Sequence, residues 1–264
     1  MGDRSGTPER AGPSVVPAVE TGVLREPATV VGFYSRMSAA YELWAKVVDS
    51  RVRRRMLSLA SVVDGEAVLE LGCGDGSLLV ALARANPTGR TVGVDLAEGM
   101  LARTARRLKR TNLPGVELQR ADIRGLPFED ASFDVVTCAY VLDILPWTEI
   151  AQALAEVQRV LRPGARLVVA NAARAERRRH RLPELLYGTG LPLTSNCRPI
   201  DTLARLADAG FTQRRREYSA QFLLPTEIVV ARKRPRYLAD LLGQADEPEH
   251  VLDPPPRRPE DARE

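Results

Sequence analysis

Short apolar runs and spaced apolar stripes alternate along much of this chain. Val68-Leu69-Glu70-Leu71 reads as a buried strand, and Leu78, Leu79 and Leu82 then fall on one face of a helix starting at Ser77. Thr91-Val92-Gly93-Val94 is a second strand, followed by a helix over 98–110. The pattern continues with strands over 116–120 and 133–138, a helix over 148–161 and a strand over 166–170. A helix over 200–209 closes on Gly210, and two strands near 211–218 and 222–231 complete the set. Upstream, Leu43, Trp44, Val47, Val48, Val52, Met56, Leu57 and Leu59 recur at helical spacing, with Tyr34 and Tyr41 ahead of them. They predict a helical extension from Phe33 to Val63. Strands alternating with helices predict an α/β fold, a parallel sheet covered on both faces.

Two stretches lack any period. Residues 1–28 mix Gly, Pro, Ser, Thr and charge, and residues 241–264 are rich in Pro and acid; both read as disordered tails. Residues 29–64 then form a helical N-terminal cap, and 65–240 the main domain. Inside that domain, 171–199 is longer than an ordinary αβ connection and carries Leu182, Leu185, Leu186, Tyr187, Leu191 and Leu193, so it reads as a cap over a site.

The chemistry begins at Glu70-Leu71-Gly72-Cys73-Gly74-Asp75-Gly76. Glycines at 72, 74 and 76 let the chain turn with positive φ and leave bare main chain beside the amides of a helix N-terminus. Asp95 ends the next strand and brings a carboxylate beside that turn, where it can accept hydrogen bonds from both ribose hydroxyls of a nucleoside. Asp122 follows the third strand, where it can meet the amino edge of an adenine, with Leu96 and Ile123 as apolar faces for the ring. Leu161-Arg162-Pro163-Gly164 ends a helix and leads into a strand. A nicotinamide site would prefer Gly-x-Gly-x-x-Gly, and position 77 is Ser.

In this order and spacing, the Glu-x-Gly-x-Gly-x-Gly run, Gly93-Val94-Asp95, Ala121-Asp122 and Leu161-Arg162-Pro163-Gly164 resemble the class I S-adenosylmethionine-dependent methyltransferases. Within them the chain looks most like the small-molecule branch that contains the ubiquinone and menaquinone C-methyltransferases. The likeness covers residues 67–170, and extends more loosely to about 234. It implies a Rossmann-like, doubly wound, seven-stranded and mostly parallel sheet with an antiparallel hairpin at its edge. It implies S-adenosylmethionine as cofactor, held by Glu70, Gly72, Gly74, Gly76, Asp95, Leu96, Asp122, Ile123 and Ala139.

The acceptor should then meet residues 139–147, the segment 171–199 and the N-terminal helix, because ligands of open α/β sheets sit outside the carboxyl ends of the strands. Candidate acid–base groups there are Tyr140, Asp143 and His180, each with a plain structural alternative; His180, set among arginines, reads more readily as part of a solvated face. After the fourth strand the chain reads Cys138-Ala139-Tyr140-Val141, without the Asn/Asp-Pro-Pro-Tyr of enzymes that methylate base or side-chain amide nitrogens. A quinone-like ring or a lipid amine remains as acceptor. An RNA methyltransferase and a non-catalytic nucleoside-binding module are the alternatives.

Composition adds three points. Three cysteines without a C-x-x-C pair suit a reducing cytoplasm, the start of the chain lacks the apolar core of a signal peptide, and two histidines make a His-rich metal site improbable. The net charge is +4, but the acidic 246–264 and 1–28 stretches carry −4 and −1, leaving about +9 between them. Five arginines in 174–181 concentrate it, which reads either as a solvated arginine-rich face or as peripheral contact with an anionic membrane surface. No aromatic residues interleave with the arginine runs, which counts against nucleic acid as partner.

Overall fold

One sheet of seven strands carries the molecule: β1 (Ala67–Leu71), β2 (Arg90–Asp95), β3 (Val116–Arg120), β4 (Phe133–Ala139), β5 (Leu161–Ala172), β6 (Thr212–Gln221) and β7 (Leu224–Arg232). The helices among the described residues are α1 (Ser50–Ala60), α2 (Ser77–Ala85), α3 (Glu98–Thr111), α4 (Trp147–Val160) and α5 (Thr202–Asp208). These come from a computed structural model that describes residues 50–113, 115–181, 197–221 and 224–235. The strand order is β3-β2-β1-β4-β5-β7-β6. β1 to β5 run parallel, and β7 runs antiparallel to both β5 and β6. The mostly parallel sheet with an antiparallel edge hairpin is thus present. The chain winds outward from β1 to β3 and then returns to β4, so a crevice opens beyond the carboxyl ends of β1 and β4.

Each face of the sheet is covered by the stripe its helices present. On one side Val52, Met56 and Ala60 of α1, four residues apart, pack with Leu78 and Leu82 of α2 against Val68, Val135, Val168 and Ile228. On the other, Ile150, Leu154 and Val157 of α4 and Leu206 of α5 pack against Leu69, Leu71, Val136, Leu167 and Val229. Aromatics are few, and the core is built of branched aliphatic side chains with Phe133 and Phe211 fully buried among them.

Boundaries differ from expectation where the sheet extends an element. The helix expected over 148–161 stops at Val160, and β5 starts at once, Leu161 pairing with Phe133 before a register shift at Pro163-Gly164. β5 continues past 170 because β7 offers partners, Asn171 to Glu227 and Ala172 to Thr226. The helix expected over 200–209 is Thr202–Asp208, capped by Asp201, whose carboxylate accepts from the Ala204 amide at 3.0 Å. Gly210, at φ 79°, turns the chain beyond it. Of the N-terminal helical cap, residues 50–64 are described, and the helix expected to reach Val63 ends at Ala60. Leu43, Trp44, Val47, Val48, the two tails and Leu182 to Leu193 lie outside the described residues. Among those described, no helix is long and apolar enough to cross a membrane.

After β4 a 3₁₀ turn, Leu142–Ile144, carries Asp143 inward. Asp143 is completely buried, accepts from the Ala172 amide at 2.8 Å, and its carbonyl accepts from the Arg198 amide at 3.1 Å. It therefore ties the end of β4 to the end of β5. Burial pushes its carboxyl up to about 7, against the pull of the Ala172 amide, the Cys197 thiol and the Arg198 guanidinium.

Met56 is fully buried against the sheet, so Met56→Ala should lower stability by about 2–5 kcal/mol, read as a reduced urea midpoint with an unchanged slope. Asp143 holds a proton when folded that the unfolded chain has released between about pH 4 and pH 7. Its contribution to stability therefore falls as pH rises through that window. Asp143→Asn should remove this slope, gaining on the parent protein by at most about 4 kcal/mol between pH 4 and 7. Parallel stability–pH curves for the two proteins would contradict it.

Candidate functional site

The turn after β1 is a cradle that only glycine fits. Gly72, Gly74 and Gly76 have φ of 63°, 54° and 75°. A Cβ on Gly72 would lie 2.3 Å from a Val141 methyl, and one on Gly76 2.6 Å from the Thr104 methyl. The Cys73 amide donates to the Val94 carbonyl at 2.9 Å, and the Gly76 amide to the Cys73 carbonyl at 2.8 Å. Asp75 is held hard. Its carboxylate accepts from the Ser77 amide and hydroxyl at 3.0 and 2.8 Å and from Arg107 Nη2 at 2.6 Å, with Arg53 of α1 at 3.5 Å. The Asp75 carbonyl takes Arg107 Nε at 2.7 Å, and Thr104 donates to the Gly74 carbonyl at 2.7 Å.

Asp95 closes the open side of the cradle. One carboxylate oxygen accepts from the Gly74 amide at 2.9 Å and the other from the Ala97 amide at 2.9 Å. A carboxylate has about four acceptor positions, so capacity remains for vicinal hydroxyls. Burial raises its pKa and the backbone amides lower it, with burial the larger effect. Glu70 is buried near the end of β1, in register with Gly93 and Thr137. Leu96 is partly exposed beside Asp95, whereas Ile123 is drawn into the core with Leu126. Ala139 is partly buried at the end of β4, against the α1 side of the sheet.

Asp122 stands at the expected strand end but is already engaged: Arg124 binds both its oxygens and also reaches Glu149 of α4 at 2.7 Å. That pairing holds the Asp122 carboxyl below the usual carboxylate range.

The three acid–base candidates separate. Tyr140 follows β4 at φ 55°, a conformation costly for a bulky side chain. Its amide donates to the Ala170 carbonyl at 2.8 Å, and its hydroxyl lies 3.2 Å from the Thr226 hydroxyl of β7. Asp143 is the buried tie described above. His180 is not on a solvated face: it is 2% exposed, under a rim of arginines. Arg179 Nε donates to its Nε2 at 3.1 Å, so the ring proton sits on Nδ1 and is given to the Tyr218 hydroxyl at 2.7 Å. Burial, then Arg179 and Arg177, lower its basicity. Of the three, Tyr140 alone keeps some exposure at the sheet edge.

Several residues at the site were not singled out in the sequence. Asp75 with Ser77 is a local capping pattern, legible as such. Arg53, Thr104, Arg107 and Arg124 reach the turns across 22, 30, 32 and 2 residues, and only the last separation is short enough to suggest itself.

Comparisons with known proteins bear on the family and the fold. Residues 68–164 match the family described as a methyltransferase domain. The chain is 36% identical over 140 residues to a demethylmenaquinone methyltransferase of Thermus thermophilus, covering 52% of this chain and 62% of that protein. It is 45% identical over 115 residues to an uncharacterised 37.1 kDa protein of a Streptomyces fradiae transposon, covering 43% of this chain and 32% of the relative. The chain thus spans less than two thirds of either relative's length. Among solved structures, magnesium protoporphyrin IX methyltransferase of Synechocystis with bound SAH superposes with a TM-score of 0.62 at 18% identity, covering 79% of this chain and all of that one, a likeness of fold. The glycine cradle, Asp95 and Asp122 fit S-adenosylmethionine, and they lie within the stretch, residues 68–164, that matches a methyltransferase domain.

Proposed function

We propose that the protein transfers the methyl group of S-adenosylmethionine to a small hydrophobic acceptor, a quinone-like ring. The observation that carries the first half is the Asp95 carboxylate fixed across the glycine cradle by the Gly74 amide. The second half is supported by likeness to demethylmenaquinone methyltransferases and by the sequence after β4. Bound there, S-adenosylmethionine would supply an electrophilic methyl on a sulfonium. The protein's part is to hold and orient: Gly72 to Gly76 leave the main chain open, Asp95 takes the ribose hydroxyls, and Asp122 takes the adenine amine. Positioning an acceptor in line can supply on the order of 7–11 kcal/mol of the barrier. Tyr140, anchored by Thr226, borders the place where the acceptor would lie.

Calorimetric titration should give saturable binding of S-adenosylmethionine and none of NADH. Asp95→Ala should weaken it at least about tenfold, since charge-assisted hydrogen bonds contribute about 1.5–3 kcal/mol each. NADH binding alone, or an unchanged dissociation constant in the variant, would refute the site. Methylated product from demethylated menaquinol, followed by mass spectrometry, tests the acceptor.

We infer further that the acceptor is met at an anionic lipid surface. Arg174, Arg177, Arg178, Arg179 and Arg181 are all exposed, and Glu176 among them is paired with Arg216. Trp147 is exposed at the start of α4, with the Arg198 guanidinium 4.3 Å above its ring. Vesicles containing phosphatidylserine should sediment the protein, and neutral vesicles should not. Changing Arg174, Arg177, Arg178 and Arg181 to Gln should weaken binding about fivefold per residue. Equal binding to neutral vesicles would overturn this reading.

A further inference from the structure

Arg124 has a structural role that the cofactor reading leaves unused. Asp122 Oδ1 accepts both the Arg124 amide and Arg124 Nε at 2.9 Å, and Oδ2 accepts Arg124 Nη2. One residue thus fills three of the roughly four acceptor positions of this carboxylate. Arg124 is itself fixed from behind. Its Nη1 donates to Glu149 on the first turn of α4 at 2.7 Å, and its carbonyl accepts from Gln152 Nε2 at 2.9 Å. A tight turn closes the loop, the Gly125 amide donating to the Asp122 carbonyl at 3.1 Å. The guanidinium fork makes the contact bidentate, which an ammonium would not reproduce.

We propose that Arg124 is a positioning residue for the adenine end of the site: it locks the Asp122 carboxylate so that a single acceptor position, on Oδ2, remains for one exocyclic N–H. This rests on the assignment of the site to S-adenosylmethionine. The consequence is selectivity. A 6-amino purine donates to that oxygen, whereas a 6-oxo purine sets a carbonyl oxygen against it and leaves both without a proton to share. A rotating carboxylate would accept the amine in more ways but would discriminate less, and fixing it beforehand removes an ordering cost on binding. Because the pair is partly exposed, this is a matter of geometry more than of net charge.

The test is a double-mutant cycle on the full chain, titrating S-adenosylhomocysteine and its 6-oxo analogue, S-inosylhomocysteine, by calorimetry. Arg124→Gln should weaken S-adenosylhomocysteine about fivefold to tenfold and narrow the preference for amine over carbonyl. In an Asp122→Asn background the same change should do nothing further. Glu149→Gln, which cuts the tie to α4 but leaves the fork on Asp122, should keep the preference, and thermal melts would show that each variant is folded. Arg124 would be only a strut between loop and helix if its penalty persisted in full without Asp122, or if Glu149→Gln matched it. No change in Arg124→Gln would also overturn the proposal. Failure of the unsubstituted protein to bind S-adenosylhomocysteine would be a different result, removing the cofactor assignment and this role with it.

Discussion

Two hydrogen bonds tie the end of β1 to the end of β2, and the geometry of the sheet edge depends on them. The Cys73 amide continues the strand ladder to Val94, and the Gly74 amide then turns to the Asp95 carboxylate. A backbone donor leaving a parallel sheet would otherwise need water; here it meets a side chain from the neighbouring strand. The turn can stay open because it is stitched rather than packed. Opening it requires glycine, since side chains at 72 or 76 would run into Val141 or Thr104. Those two residues belong to the β4 exit and to α3, so the cradle's shape is set by both neighbouring elements.

Arginine does most of the joining. The chain holds 35 arginines and 3 lysines. Arg107 takes a carbonyl and a carboxylate of the same residue, Asp75. Arg159 gathers the Leu126 and Phe128 carbonyls together with Asp130 and Glu156. Arg166 links the Ala60 carbonyl at the end of α1 to Glu66 ahead of β1. Each uses several fixed donors at once, so each holds a turn in one orientation. Much of the positive charge is therefore spent inside the fold; the exposed arginines over 174–181 are the contrasting case.

The fold was largely legible because its signals are local. Branched residues in short runs, glycines after a strand and an acid at the next strand's end each carry their meaning within about 25 residues. Strands β1 and β3 fall where the pattern puts them. What the pattern missed depends on partners distant in sequence. β5 runs to Ala172 only because β7 lies beside it, more than 50 residues later. His180 sits in a run of charge that reads as surface, yet Tyr218 of β6 takes it inside. Asp143 looked like a group aimed at a substrate and is a buried tie, a role decided by an amide at position 172. Ile123 was expected at a ring face and is recruited by the core. Periodicity reports which face a residue takes, but not which remote donor will claim a polar group.

The position of β7 has a consequence for how the chain comes together. Among the described strands it comes last in sequence, yet it lies inside the sheet, between β5 and β6. Until it docks, β5 presents a bare edge, and the strained Tyr140 lacks the Thr226 hydroxyl beside its own. A nascent chain can assemble the half that carries the glycine turn, β1 to β4, as soon as it is made. The half built on β5, β6 and β7 must wait for residues 224–232, which makes completion of the sheet a long-range event in folding.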